Sequence, residues 1–361
     1  MKSTGYESGV EKHPAIGTII NFCTIDHKFL DACLREAGLF SRNIIVPVCN
    51  HLYNGDRENM SLLRRIIQKH SSARISFLVF DYDHTKTIMF GSRFWHNYAR
   101  WTGVMHLGGD IQYVLFLDGD EILDGKRFMK WMDASLFFRY DAISFNSYWY
   151  FREPGYQATT TEQAGMLVKK DSIRNDLLFS EYERLGFLTL PHVLYRQNGP
   201  DGSPMVHHYS WVRSKEEMIR KVRSWGHNKD RDWLSLVEQE FQHDFNGTDF
   251  VHGYQYRIVD SAFNFGYTPD EAEKDSMLPC GDVGGQGRND NCPPLPREPG
   301  TLHEGNMNDL TCQAEAAATL LRLGDISAGE HCFERARELY TKALSIAPWN
   351  AEAKSRLDNL K

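Results

Sequence analysis

The stretch Tyr113-Val114-Leu115-Phe116-Leu117-Asp118-Gly119-Asp120-Glu121 decides how the chain is read. An unbroken apolar run leads straight into an acidic turn. A short continuous apolar run that ends at a Gly-containing turn is the pattern of a strand buried in a parallel sheet. The carboxyl end of such a strand is where α/β proteins place their ligands. Gly119 permits a sharp turn, so Asp118 and Asp120 are expected to face one crevice. Two hard carboxylates one residue apart at a strand end suit a divalent ion that also holds phosphate oxygens. Mg2+ or Mn2+ is expected, because such ions use few protein carboxylates and complete their shells from substrate and water. Asp-Gly is also ordinary turn chemistry, so the flanking chain has to carry the reading.

Upstream, residues 16–22 (IGTIINF), 43–49 (NIIVPVC) and 74–80 (RISFLVF) read as strands. Residues 29–39, 57–70 and 91–107 have helical spacing between them, with Met60, Leu62, Leu63, Ile66 and Ile67 on one face of the second. Repeated strand-helix alternation implies right-handed crossovers and a largely parallel sheet. Parallel strands present their carboxyl ends along one edge. Thr24, Asp26, Asp81, Asp83, Asp118 and Asp120 are therefore expected along one crevice.

Downstream, 128–138 reads as a short helix, 142–151 as a fifth strand, 157–163 as a polar loop and 165–169 as a strand. Residues 204–211 read as a strand that carries His207 and His208. Ser214-Lys215-Glu216-Glu217 is a capping box that starts a helix. The expected organisation is an α/β domain over 14–276, a Pro/Gly-rich linker over 277–306 and a helical unit over 307–361. Within the last, Leu320, Leu323, Gly324, Ala336, Tyr340, Ala343 and Pro348 stand at offsets that resemble a tetratricopeptide helix-turn-helix unit. One such unit cannot bury its own apolar face. It is expected to dock on the main domain, to bind a protein partner or to form a homodimer.

Composition narrows the function classes. A net charge of -7 argues against a general nucleic-acid binder. No apolar run approaches the roughly 18 residues of a membrane span, and the polar first residues lack a secretory apolar core. Seven scattered cysteines form no Cys-x-x-Cys pair, so free thiols in a reducing cytoplasm are expected rather than disulfides or zinc.

Three βα units leading into a fourth, apolar strand and then Asp118-Gly119-Asp120 resemble GT-A glycosyltransferases over roughly residues 16 to 260, in a Rossmann-like, nucleotide-diphospho-sugar transferase fold. The Asp-x-Asp element is the family's motif. The resemblance implies a nucleotide-diphosphate sugar as donor, an acceptor hydroxyl on a glycan, lipid or protein, and a divalent ion, usually Mn2+. Asp118 would lie near ribose and metal, and Asp120 would bind the metal. Asn97, Ala99 and Arg100 are similar to an Ala-Arg-Asn element of such enzymes, which implies a diphosphate role for Arg100. Thr24, Asp26, Asp81 and Asp83 would serve the nucleotide. A late histidine completes the metal site in several such groups. His208 is favoured over His207 because it leads directly into Tyr209-Ser210-Trp211. Arg213, Lys215, Arg220, Lys221 and Arg223 follow closely, as diphosphate contacts or as a solvated helix face.

An inverting reaction needs a carboxylate to take the acceptor proton. Glu181, Glu183 and Glu162 are candidates, with Asp176 a rival. Two other enzyme readings use the same residue types. Phe77 to Thr85 (FLVFDYDHT) suits a haloacid-dehalogenase-like phosphatase with Asp81 as nucleophile, and a nucleotidyltransferase shares the metal logic. A non-enzymatic reading is a tetratricopeptide-type adaptor with a degenerate transferase domain.

Overall fold

The computed structural model describes residues 13–90, 94–180, 183–225, 231–263, 265, 321, 333–346 and 350–360. The chain divides into two compact units, Met1–Gly266 and Tyr267–Lys361. The first opens with β1 (Ile16–Asn21), α1 (His27–Ala37), β2 (Asn43–Cys49), α2 (Met60–His70), β3 (Ile75–Phe80), α3 (His84–Phe90), α4 (Phe94–Met105) and β4 (Tyr113–Asp118). It continues with β5 (Glu121–Leu123), α5 (Gly125–Ala134), β6 (Ala142–Phe151), β7 (Glu153–Lys169), α6 (Asn175–Leu178) and β8 (Val193–Gln197). β9 (Val206–Trp211), α7 (Lys215–Ser224), α8 (Trp233–Glu240) and β10 (Tyr256–Ile258) follow.

The strands form one sheet in the order β3-β2-β1-β4-β7-β6-β9-β5, with β10 added on β7 and β8 on β6. β1 pairs in parallel with β2 and β4, and β2 with β3. β7 runs antiparallel to both β4 and β6, and β6 is again parallel to β9 and β8. This is a mixed, mainly parallel α/β sheet, the fold class that the alternation implies. Every residue of β1 is buried, whereas the edge strand β3 alternates in exposure. That contrast is what central and edge positions dictate.

Helices cover both faces. Phe29, Leu30 and Cys33 of α1, Leu63 of α2 and Phe128 of α5 pack on Ile20, Leu115 and Leu117. On the other face Ile19, Val114, Phe116 and Met166 meet Leu107, Leu177 and Phe187, with Trp101 and Val104 of α4 beside them. A third cluster joins Trp149 and Trp211 to Met218, Val222, Trp233 and Val237, seating α7 and α8 beside the β6-β9 end.

Three local expectations change. Residues 157–163 are not a loop but the middle of β7, where Ser147 pairs with Glu162 and Tyr148 with Thr161. Threonines 159–161 are β-branched and suit a pleat whose outer positions face water, so polarity there marks exposure and not a turn. The helix expected at 128–138 starts earlier, at Gly125, because the Asp124 side chain caps it by accepting from the Arg127 N–H. β5 is three residues long, too short for any periodicity to announce.

In the second unit, Asn350 caps a helix over Ala351–Asn359 that follows another over Phe333–Ile346. Ala336, Leu339, Tyr340, Ala343 and Ala353 are buried. The linker over 277–306, Pro348 and, apart from Leu321, the first helix of the expected hairpin lie outside the described residues. Among the described residues no helix is long and apolar enough to cross a membrane.

Candidate functional site

Asp118 is the last residue of β4, and Asp120 stands directly before β5. Gly119 does not adopt a left-handed conformation. Its role is close approach: a Cβ there would lie 3.1 Å from Phe22 and 3.3 Å from Asp26, while its N–H donates to the Asn21 carbonyl. The two carboxylates meet different partners. Asp118 Oδ1 accepts from Arg100 Nη2 at 2.8 Å, and Oδ2 stands 3.5 Å from Arg184 Nη2. Asp120 Oδ2 faces Lys221 Nζ at 3.5 Å and Arg213 Nη2 at 3.6 Å. Burial alone would raise both carboxyls. Arg184 and Arg100 outweigh it at Asp118, and Lys221, His208 and Arg213 at Asp120, so both lie well below the usual carboxylate range. Both are ionised at neutral pH.

The cations are held in turn. Arg100 is fully buried on α4 and also donates to Glu183 Oε2 at 3.1 Å. Arg213 donates to the carbonyls of Ser210 and Ile25 at 2.8 Å and to the Asp26 carboxylate. Arg184 donates to both oxygens of Glu121, which is fully buried and also accepts from the Asp118 N–H at 3.0 Å. Glu183 has φ of +52°, a strained backbone that delivers Arg184 to the acidic turn. Burial would raise the Glu183 carboxyl, but His96 and Arg100 hold it below its ordinary value.

His208 belongs to this group through β-sheet register. β5 runs antiparallel to β9 with Glu121 opposite His208. His208 Nε2 lies 3.6 Å from Asp120 Oδ1, outside hydrogen-bond reach, and its buried Nδ1 meets no hydrogen-bond partner among the described residues. Burial would lower its pKa, and Asp120 more than offsets this, so it is raised. Two ligands each about 2.1 Å from one ion stand roughly 3 to 3.6 Å apart. The gap between Asp120 and His208 thus fits a divalent ion, and ionised oxygen with imidazole is a donor set that Mn2+ accepts. Among the described residues no three His, Cys, Asp or Glu side chains converge as a ready-made cage. The remaining ligands would have to come from substrate and water.

His207 points to the opposite face of β9, as neighbours on a strand must. Tyr150 accepts from Gln157 at 2.8 Å, and its hydroxyl is hydrogen-bonded to His207 Nδ1 at 2.7 Å. Burial, with Arg127 adding to it, pushes His207 down to about 3. The unfolded chain binds a proton at this residue below about pH 6.5 and the folded chain does not. Stability is therefore full above pH 6.5 and is lost as pH falls towards 3. From this residue alone the unfolding free energy should drop by about 1.4 kcal/mol per pH unit below 6.5. Urea titrations of wild type and His207→Gln at pH 7 and pH 5.5 check this. The variant should show the smaller difference between the two pH values, and equal differences would contradict the assignment.

The other expected residues divide. Thr24 is buried and donates its N–H to Glu58 at 3.1 Å, and its hydroxyl also bonds Glu58. Asp26 is taken by Arg213 beside the acidic turn. Asp81 follows the edge strand β3 and accepts from Asn50 at 2.6 Å, and Asp83 accepts from the Thr85 hydroxyl. Glu162, on β7, accepts from the Tyr254 hydroxyl. Asp176 accepts from Arg174 at 3.1 Å, and Glu181 lies outside the described residues. A narrow cleft between the ends of β1, β2 and β3 is lined by Asn21, Cys49, Tyr53, Phe80 and Trp95. Tyr53 stacks on His96 with ring centroids 4.0 Å apart, and His96 Nδ1 meets Asn21 Nδ2 at 2.9 Å.

Arg184, Glu121, His96 and Tyr53 were not among the residues singled out from sequence for this site. The only signal for Glu121 is its place in the acidic turn, and for Arg184 its place beside Glu183.

No protein-family model and no curated protein matches the chain. Among solved structures the chain is similar to a 4-diphosphocytidyl-2C-methyl-D-erythritol synthase from Anaerococcus prevotii, at 12% identity and a TM-score of 0.35 over 57% of this chain and 95% of that one. An inositol-1-phosphate CTP transferase from T. maritima aligns at 7% identity and a TM-score of 0.34, over 63% and 98%.

Proposed function

We propose that the chain is a metal-assisted transferase that moves a sugar from a nucleoside-diphosphate sugar to an acceptor hydroxyl. The observation that carries this reading is the charge arrangement at the β4 end. Two ion-pair groups meet at the acidic turn: Asp118, Glu121 and Glu183 share Arg100 and Arg184, and Asp26 and Asp120 share Arg213 and Lys221. The first group is one positive charge short of balance and the second is balanced, so a bound divalent cation would leave the turn with a net charge of about +1 to face an anionic diphosphate. Asp120 and His208 would hold the ion, with substrate and water completing its shell. When bound, the ion supplies Lewis-acid stabilisation of the leaving diphosphate.

The chain's own residues supply the rest. Arg100, Arg184, Arg213 and Lys221 are buried or nearly so, and each is aimed by a carboxylate before substrate arrives. Preorganised cations in a water-poor site stabilise developing charge without reorganising. Glu183 is pinned by Arg100 and held at a depressed pKa, which suits a positioning role and makes it a weak base.

Thermal shift against UDP, GDP, CDP and ADP, each with Mn2+ or with EDTA, tests the reading. One diphosphate should stabilise the protein with Mn2+ by about 2.7 kcal/mol at a hundredfold excess over its Kd, and lose most of that with EDTA. His208→Ala should weaken Mn2+ binding at least about tenfold, while His207→Gln should not. Absence of stabilisation by every diphosphate would sink the proposal. Pyrophosphate release from a nucleoside triphosphate, with no sugar transfer, would assign nucleotidyl transfer in its place.

A further inference from the structure

One polar cluster beside the proposed metal site has no part in the donor chemistry above. It lies where β6, β7 and the segment before β10 come together. Outward from Asp120, His208 packs edge-on against Trp149 of β6, with ring centroids 4.8 Å apart at 84°. Trp149 in turn meets His252, at 4.9 Å, and His252 meets Tyr254, at 4.9 Å. Glu162 closes the group, accepting from the Tyr254 hydroxyl and lying 3.9 Å from His252 Nδ1.

Register places these groups on one side of the sheet. His208 pairs with Trp149, and Ser147, two residues earlier on the same strand, pairs with Glu162. Residues two apart share a face, so Glu162 and His208 face the same way. Trp149 is 6% exposed, whereas Glu162 and His252 keep 28% and 35% of their side chains open. The aromatic floor is therefore buried and the polar rim is accessible.

The segment that carries His252 and Tyr254 is fixed by a single buried carboxylate. Asp249 is 3% exposed. Its Oδ1 accepts from the N–H groups of Val251, His252 and Gly253 at 2.7, 2.6 and 3.3 Å. Its Oδ2 accepts from the Tyr254 N–H at 3.3 Å and the Tyr256 hydroxyl at 2.8 Å. Gly253 turns the chain in the left-handed region, at φ +74°. Tyr254 and His252 both address Glu162 Oε1, and Oε2 meets no protein donor among the described residues. An oriented carboxylate oxygen at the rim of an aromatic floor accepts hydroxyl protons strongly, while the ring faces bind aliphatic C–H surface.

We propose that Glu162, Tyr254 and His252, on the turn tied by Asp249, form the subsite for a saccharide acceptor. Its ring lies against His252, which Trp149 backs from beneath, and its hydroxyls donate to Glu162. The inference rests on the glycosyl-transfer reading and names the acceptor class for it. Glu162 binds and orients the acceptor here; Asp249 is a positioning residue.

The test uses the full chain, the nucleotide sugar that turns over with Mn2+, and p-nitrophenyl glycosides as acceptor probes. Wild type should transfer to at least one glycoside. Glu162→Gln and Tyr254→Phe should each raise the KM for that glycoside at least tenfold, with the KM for donor and the thermal shift by nucleoside diphosphate and Mn2+ kept. Asp249→Asn should show the same split more weakly. Variants that keep the wild-type acceptor KM would overturn the proposal. Donor turnover without transfer to any glycoside would overturn the saccharide class. Failure of every nucleotide to bind would instead be the failure of the underlying transferase reading, which the donor thermal shift detects separately.

Discussion

Asp120→Ala is expected to abolish Mn2+-dependent nucleotide binding while leaving the fold in place. Asp120 stands 3.6 Å from His208 Nε2 and faces Lys221 and Arg213. Its removal takes one ligand from the ion and leaves two cations without their shared carboxylate. Loss of a single preorganised charged contact of this kind costs about 10²-fold or more in turnover. Metal titration followed by nucleotide thermal shift, and donor turnover with and without EDTA, give the readouts. Asp118→Ala should weaken both metal and nucleotide binding, because Arg100 and Arg184 lose the group that aims them. If both variants turn over donor at the wild-type rate under limiting metal, the acidic turn is not the metal site.

Glu121→Ala is expected to have the largest effect on stability. The side chain is fully buried, bonds Arg184 through both oxygens and accepts from the Asp118 N–H. Its loss leaves a nearly buried guanidinium with the more distant Asp118, at 3.5 Å, in place of its bidentate partner. Breaking a buried pair from one side costs about 3–5 kcal/mol, which for a domain of this size corresponds to roughly 10 °C in Tm. The paired variant Glu121→Leu with Arg184→Met should recover most of that stability, because well-packed apolar groups can replace a buried ion pair. It should not recover nucleotide binding, since Arg184 also faces Asp118. Calorimetry of the single and double variants decides. A stable Glu121→Ala protein would mean that Arg184 finds another anion, and recovered binding in the double variant would remove Arg184 from the site.

How much of this was legible in the sequence follows from how local each signal is. β1, β2, β3 and β4 are continuous apolar runs, and their parallel order follows from the helices between them. Asp118 and Asp120 needed only the residues on either side. The capping box at Ser214 is a four-residue pattern, and it forms as read, with the Ser214 hydroxyl accepting from the Glu217 N–H. Other features depend on contacts across the chain. Arg184 reaches Glu121 from 63 positions away, and Arg213 reaches Asp26 from 187. No local pattern reports such pairs. His207 and His208 are indistinguishable as a dipeptide; only strand register sends one to Tyr150 and the other towards Asp120. Residues 157–163 misled because composition measures polarity, and an exposed strand face is as polar as a loop.

The short β5 ladder has a further consequence. Glu121, Ile122 and Leu123 are bridged to His208, His207 and Val206, and the Tyr209 N–H donates to the Asp120 carbonyl. The carboxylate and the imidazole of the proposed ion site therefore sit on rungs of one zipped ribbon. Their spacing is an outcome of folding, and it persists whether or not an ion is present. Amide protons on such a ribbon exchange only when the sheet itself opens. The entropy of gathering the ligands is spent before any ion arrives, so capture of the metal should be fast and should demand little rearrangement.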